Sequence, residues 1–220
     1  MTKVKVCGIR SYQNALMVAE AGADLIGLNF YPESPRFIDR EAAGDLVKRL
    51  RARLGRHCPV LVGVFVNESA GRVREAVASV GLDCAQLSGD ECPETLEELN
   101  GIAFKGIRPK TAADALADAD RYGNAISADG RMPSLLLDAF NPRLYGGTGE
   151  TAALDVTLAV RDAVPRLMLA GGLNPENVAE RVRAIRPWGV DVASGVEAGI
   201  PGLKDEDKVR AFITQVRKAK

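Results

Sequence analysis

Short apolar runs alternate with longer segments in which apolar residues recur every three or four positions, and the alternation continues from one end of the chain to the other. Eight runs read as strands: Val4 to Cys7, Leu25 to Asn29, Val60 to Phe65, Cys84 to Leu87, Ala103 to Ile107, Leu135 to Asp138, Leu167 to Ala170, and Val190 to Ala193. They are nearly continuous in apolar side chains, which predicts parallel strands covered on both faces. Between them, Glu41 to Leu54 brings Ala42, Leu46, Val47 and Leu50 onto one helical face. Ser69 to Val80, Glu94 to Asn100, Thr111 to Tyr122 and Asp205 to Val216 follow the same spacing. Asn174-Pro175-Glu176 reads as a helix start, with Asn at the N-cap and Pro in the first turn.

Eight strand-helix units in 220 residues leave roughly 27 residues for each, the size of a compact unit of a TIM barrel. The expected fold is therefore α/β, a single (βα)8 TIM barrel over residues 1–220, with no Pro/Ser linker or charge block to divide it. The rival is an open Rossmann sheet, and no G-x-G-x-x-G follows the first run to support it.

Charge narrows the partners. Basic and acidic residues number 29 each, so nothing draws the whole molecule to nucleic acid or to an anionic membrane, although a few local donors can still hold a small anion. The N-terminus, MTKVKVCGIR, is interrupted by charge and lacks the apolar core of a signal peptide, and no run approaches the ~18 apolar residues of a membrane helix. A cytoplasmic location is expected. Cys7, Cys58, Cys84 and Cys92 form no C-x-x-C pair, and with His57 the sole histidine no zinc site is expected. The cysteines are expected to be reduced, most of them buried, and His57 to lie on the surface. Barrel helices look alike whether solvated or paired, so the chain reads as either a monomer or a homodimer.

In such a barrel the reactive groups sit at the C-terminal ends of the strands, and phosphate commonly binds after strands seven and eight. Strand seven ends in Ala170-Gly171-Gly172-Leu173 and strand eight in Ala193-Ser194-Gly195-Val196-Glu197. One Gly-Gly pair alone is a tight turn. Two glycine loops side by side at those positions instead predict a phosphate cup involving Gly172, Ser194 and Gly195, because glycine lets backbone amides approach an anion closely. A third stretch, Gly146-Gly147-Thr148-Gly149, follows strand six and offers Gly147 as a further phosphate contact on a closing loop. No G-x-x-x-x-G-K-[ST] is present to suggest a nucleotide. Cys7 closes strand one, and Asp138 ends strand six after three leucines, where packing alone has no use for an acid. A thiol there can act as a base once ionised, and a partly desolvated carboxyl can act as an acid. The strand pattern by itself leaves the assignment of the two roles open.

The chain resembles the phosphoribosylanthranilate isomerase family of tryptophan biosynthesis over nearly its whole length. The resemblance is carried by Lys5-Val6-Cys7-Gly8-Ile9-Arg10, Ser34-Pro35-Arg36, Val62-Gly63-Val64-Phe65-Val66-Asn67, Gln86-Leu87-Ser88-Gly89-Asp90-Glu91, Leu137-Asp138, Gly146-Gly147-Thr148-Gly149, Ala170 to Asn177, and Asp191 to Glu197. It implies a cofactor-free Amadori rearrangement of a small phosphorylated substrate. Asp138 is expected to protonate the ribose ring oxygen, and Cys7 to remove the proton at C2. It further implies that Arg36 meets the anthranilate carboxylate through two parallel hydrogen bonds, and that Gln86 lines the pocket near the aromatic ring.

Two positions depart from the family pattern, which usually has histidine where this chain has Ser88 and lysine where it has Glu150. They bear on substrate affinity and loop closure, not on the acid or the base. Other readings are a dual-substrate barrel isomerase of the histidine and tryptophan pathways, a pentose phosphate epimerase, and a non-catalytic phosphosugar-binding barrel. Cys7 in place of the aspartate of the dual-substrate enzymes, and no second glycine pair after strands three and four, count against the first. A single histidine cannot supply the epimerase's metal ligands. The presence of both Cys7 and Asp138 counts against the last.

Overall fold

The structure, a computed structural model, describes residues 1–123, 127, 129–138 and 150–219, with the backbone alone for 150–153. Eight parallel strands close into a barrel in sequence order: β1 (Lys3–Cys7), β2 (Leu25–Asn29), β3 (Val60–Phe65), β4 (Cys84–Leu87), β5 (Ala103–Ile107), β6 (Leu135–Asp138), β7 (Leu167–Ala170) and β8 (Gly189–Val192). β1 pairs with β8 through Lys5 opposite Asp191, which completes the ring. Around it run α1 (Tyr12–Glu20), α2 (Arg40–Leu54), α3 (Ala70–Val80), α4 (Pro93–Glu98), α5 (Ala112–Tyr122), α6 (Glu150–Ala163), α7 (Val178–Ile185) and α8 (Glu206–Lys218). The expected barrel is the observed one.

Local chemistry sets the helix starts. Ser11, Asp39, Ser69, Thr111 and Asp205 each sit at an N-cap and accept a hydrogen bond from the amide three residues on, satisfying a donor the helix cannot. Three expectations need adjustment. In α2 it is Ala43, not Ala42, that is buried with Leu46, Val47 and Leu50. α4 stops at Glu98 because Asn100 and Gly101 take φ of +47° and +80°, outside any helix. Regular α7 begins only at Val178, because the Asn174 side chain accepts from the amides of Glu176 and Asn177 and closes a turn ahead of the helix.

The core has two shells. Alternate strand residues pointing outward, among them Val4, Val6, Ile26, Leu28, Leu61, Leu135, Leu137, Leu169 and Val190, pack against the helices. Inward residues, including Leu25, Val60, Val62, Cys84, Phe104, Leu136 and Met168, fill the barrel. At the N-terminal rim, Asp24 and Asp83 repeat one device. Each accepts at 2.8 Å from an amide of the preceding strand, Val4 or Leu61, and pairs with an outer arginine, Arg217 or Arg51.

The cysteines correct the sequence reading. Only Cys84 is buried, its thiol pushed up to about 12 chiefly by burial. Cys7 and Cys58 are half-buried, and Cys92, at the α4 N-cap, is exposed. A position at a strand or helix end opens to solvent even when its neighbours are apolar. His57 lies exposed in a 3-10 turn before β3, as expected. No helix among the described residues is long and apolar enough to cross a membrane.

Candidate active site

Because strand side chains alternate, an apolar residue deep in the barrel shares its face with the residue two positions on at the C-terminal mouth, as Cys84 does with Gln86 and Leu136 with Asp138. On β1 this face carries Lys5 and then Cys7. Lys5 is fully buried, with Nζ 3.1 Å from Oδ1 of Asp191 on β8. Burial alone would push this ammonium down, but attraction to Asp191 and to the Cys7 sulfur, together with the Asp191 hydrogen bond, holds it above its ordinary value of 10.5. A charged Lys5 therefore lies beneath the thiol and gives an ionised sulfur a fixed counter-charge.

Gly27 on β2 stands opposite Cys7. A Cβ there would lie 2.7 Å from Cys7 Sγ, so only glycine leaves the thiol in place. Gly27→Ala is expected to lower stability by about 1–3 kcal/mol through overpacking and to reduce kcat disproportionately. Denaturant unfolding and steady-state rates on one preparation check this, and a variant with intact kcat would show that the position of Sγ does not matter.

Asp138 ends β6 with its carboxylate partly exposed, and Oδ2 lies 3.4 Å from Nε of Arg108 just past β5. Cys7, Asp138, Arg36, Gln86, Gly172 and Ser194 line one cavity of about 330 Å³ at the mouth. Six of the expected site residues are thus brought together. Gly171 and Gly172 take φ of +100° and +62°, which turn the loop after β7 back over the barrel. Gly195 stands behind the cavity wall, since it is absent from the lining and a Cβ there would collide with the carbonyl oxygen of Leu173. Its glycine lets the loops after β7 and β8 touch. Gly147, with the rest of the 146–149 stretch, lies outside the described residues, as does the side chain of Glu150.

Gln86 is buried, and its Nε2 donates to Ser88 Oγ at 3.0 Å, while its Oε1 has no hydrogen-bond partner among the described residues. Ser88, at the position where a histidine was the familiar residue, thus fixes the orientation of the Gln86 amide.

Arg36 is held from one side. Its Nε and Nη2 donate to the two oxygens of Glu197 at 2.7 and 2.8 Å, a bidentate pair. Glu197 also accepts from the backbone N–H of Gly202 at 2.8 Å and from the fully buried Lys204 at 3.0 Å. Burial would raise the Glu197 carboxyl, but Arg36, Gly202 and Lys204 bring it down from 4.5 to about 2. The side-on edge of the guanidinium is therefore used within the protein, and the end-on edge, Nη1 with the second proton of Nη2, takes no part in that pair. Gly8, at φ +79°, makes room for this, because a Cβ there would collide with Arg36 Cδ.

Sequence reasoning gave no role to Lys5, Asp191, Arg108, Glu197 or Lys204. Lys5 had a usable signal, a charge in an apolar strand two residues before Cys7 and hence on its face. Glu197 and Lys204 had none, since their meeting with Arg36 joins parts of the chain 161 residues apart.

A thiol and a carboxyl facing one cavity at the C-terminal mouth of a (βα)8 barrel, beside an anchored arginine and two glycine loops, define a barrel enzyme for a small anionic substrate. Comparison with known proteins makes the class specific. The chain belongs to the N-(5'-phosphoribosyl)anthranilate (PRA) isomerase family, whose model matches residues 4–215. It is 41% identical over 221 residues to the N-(5'-phosphoribosyl)anthranilate isomerase of Trichlorobacter lovleyi, covering 100% of both chains. To that of Myxococcus xanthus it is 42% identical, over 96% of this chain and 94% of the other. The crystal structure of the Thermotoga maritima phosphoribosyl anthranilate isomerase is similar at a TM-score of 0.83 and 36% identity, with 99% of each chain covered. Another such isomerase, crystallised with reduced 1-(o-carboxyphenylamino)-1-deoxyribulose 5-phosphate, is similar at 0.81 and 34% identity, again over 99% of each chain.

Proposed function

We propose that this chain catalyses, in the cytoplasm, the Amadori rearrangement of N-(5-phosphoribosyl)anthranilate to 1-(o-carboxyphenylamino)-1-deoxyribulose 5-phosphate, a step of tryptophan biosynthesis. The observation that carries the reading is that Cys7 and Asp138, from β1 and β6, line the same cavity as Arg36 and the loops after β7 and β8. The phosphate is held by backbone amides at Gly172 and Ser194, which line the cavity, and the anthranilate carboxylate by the end-on edge of Arg36. Between these anchors Asp138 protonates the ribose ring oxygen, the C1–O bond breaks, and the nitrogen lone pair forms a C1 iminium. The iminium acidifies C2, so the Cys7 thiolate, with Lys5 beneath it, removes that proton. The enolamine then takes a proton at C1 as the C2 hydroxyl becomes a ketone. A hydrogen has moved from C2 to C1 with no net oxidation, so the reaction calls for no external electron acceptor.

The test offers purified protein N-(5-phosphoribosyl)anthranilate and, separately, the histidine-pathway aldosylamine. Loss of anthranilate-type fluorescence with the first and no turnover of the second is the expected result. Turnover of both would establish the dual-substrate reading, and turnover of neither would leave a phosphosugar-binding barrel.

A further inference from the structure

The loops after β3 and β4 hold a side-chain carboxylate in the way a barrel holds a ligand anion. Glu91, between β4 and α4, is buried. Its Oε1 accepts from the backbone N–H of Asn67, after β3, at 2.8 Å, and its Oε2 from that of Gly89, after β4, at 2.9 Å. The same Oε2 lies 2.7 Å from Nζ of Lys105, a buried residue of β5. Two backbone amides and an ammonium, shared between the two oxygens of one carboxylate, form a donor set suited to the oxygens of a phosphate. The cradle is rigid. Asn67 takes φ +54° and its Oδ1 accepts from the Asp90 amide at 2.6 Å, while a Cβ on Gly89 would collide with Asn67.

A cavity of about 510 Å³ opens over this cradle, with Asn67, Gly89 and Lys105 in its wall, and it shares Ser88, Gly106, Ile107 and Arg108 with the catalytic cavity. Its remaining charges balance, Arg108 and Arg121 against Asp90 and Asp118. Glu91 cancels Lys105, so the cavity offers an incoming anion no surplus positive charge.

The geometry points to Glu91 as a built-in ligand: its carboxylate occupies an anion site between the loops after β3 and β4, across the mouth from the glycine loops after β7 and β8, and so restricts the enzyme to substrates with one terminal phosphate. The restriction on substrate rests on the phosphate position proposed above, whereas the Glu91 site does not.

Equilibrium dialysis against radiolabelled inorganic phosphate tests the site. The Glu91→Ala chain is expected to bind one phosphate more than the wild type, two against one. Equal numbers would overturn the proposal and leave Glu91 a structural tie between loops. No phosphate on the wild type would instead remove the site after β7 and β8, with the difference between the chains still deciding for or against Glu91. A Glu91→Ala chain that folds in phosphate but not in chloride supports the proposal. If it folds in neither, Glu91→Ser takes the same measurement, and failure to bind an additional phosphate there overturns it. A competing alkyl bisphosphate long enough to cross the mouth should bind the variant about tenfold or more tighter than the matching monophosphate, with no such gain in the wild type. An equal gain in both chains would overturn the restriction.

Discussion

Replacing Cys7 with serine is expected to lower kcat by about a thousandfold with the fold unchanged, within the range that one general acid or base contributes. The serine hydroxyl keeps the size of the thiol but does not ionise in the working range, so the C2 proton has no acceptor. Cys7 is half-buried at the mouth, outside both apolar shells, and the smaller oxygen also fits against Gly27. Asp138→Asn should produce a loss of similar size for the complementary reason, since a carboxamide cannot deliver a proton to the ring oxygen. In both variants KM should change little, because the anchors at Arg36 and at the loops after β7 and β8 are untouched. Fluorescence-monitored turnover alongside thermal unfolding checks the pair, and a near wild-type rate in either chain removes that residue from the mechanism.

The second large effect concerns Glu197. Glu197→Ala is expected to cost about 3–5 kcal/mol of stability, because it takes the carboxylate from the buried Lys204 ammonium, leaving it the Ala193 carbonyl, and releases Arg36. KM should rise with it, since an arginine no longer held along one edge loses its alignment toward the substrate carboxylate. The pH dependence has a definite sign. Glu197 titrates at about 2 in the folded chain against 4.5 for an ordinary glutamate, so its contribution is complete above about pH 4.5 and is lost as pH falls toward 2. Urea unfolding of wild type and Glu197→Gln at neutral pH and near pH 3 should show the gap between them narrowing in acid. A gap that widens in acid would contradict the assignment of the carboxylate as the stabilising form.

Much of this was legible in the sequence, for physical reasons that also mark the limit. The eight strands could be read because each is covered on both faces and so is almost uninterrupted in apolar residues, and all eight stand within a residue of where the pattern put them. Cys7 and Asp138 could be read because they break that pattern at its C-terminal end. Asn174 was readable as a residue that bonds the amides following it; that these bonds close a turn and leave Asn177 at the N-cap was not, because the same side chain serves a turn or a helix start equally well. The anchoring of Arg36 by Glu197 and the occupation of the loops after β3 and β4 by Glu91 were not readable either. A charged residue in a loop looks the same whether it is solvated or closes a long-range contact.

The central claim is that one chain moves a hydrogen from C2 to C1 of its sugar by acid and base alone. A substrate labelled with ¹³C at ribose C2, followed by carbon NMR with purified protein and nothing else added, tests it most directly. The labelled alcohol carbon is expected to become a ketone carbon as anthranilate-type fluorescence disappears, with both changes about a thousandfold slower for Cys7→Ser. Fluorescence that decays while the labelled carbon remains an alcohol, or a ketone that forms equally fast without Cys7, would contradict it.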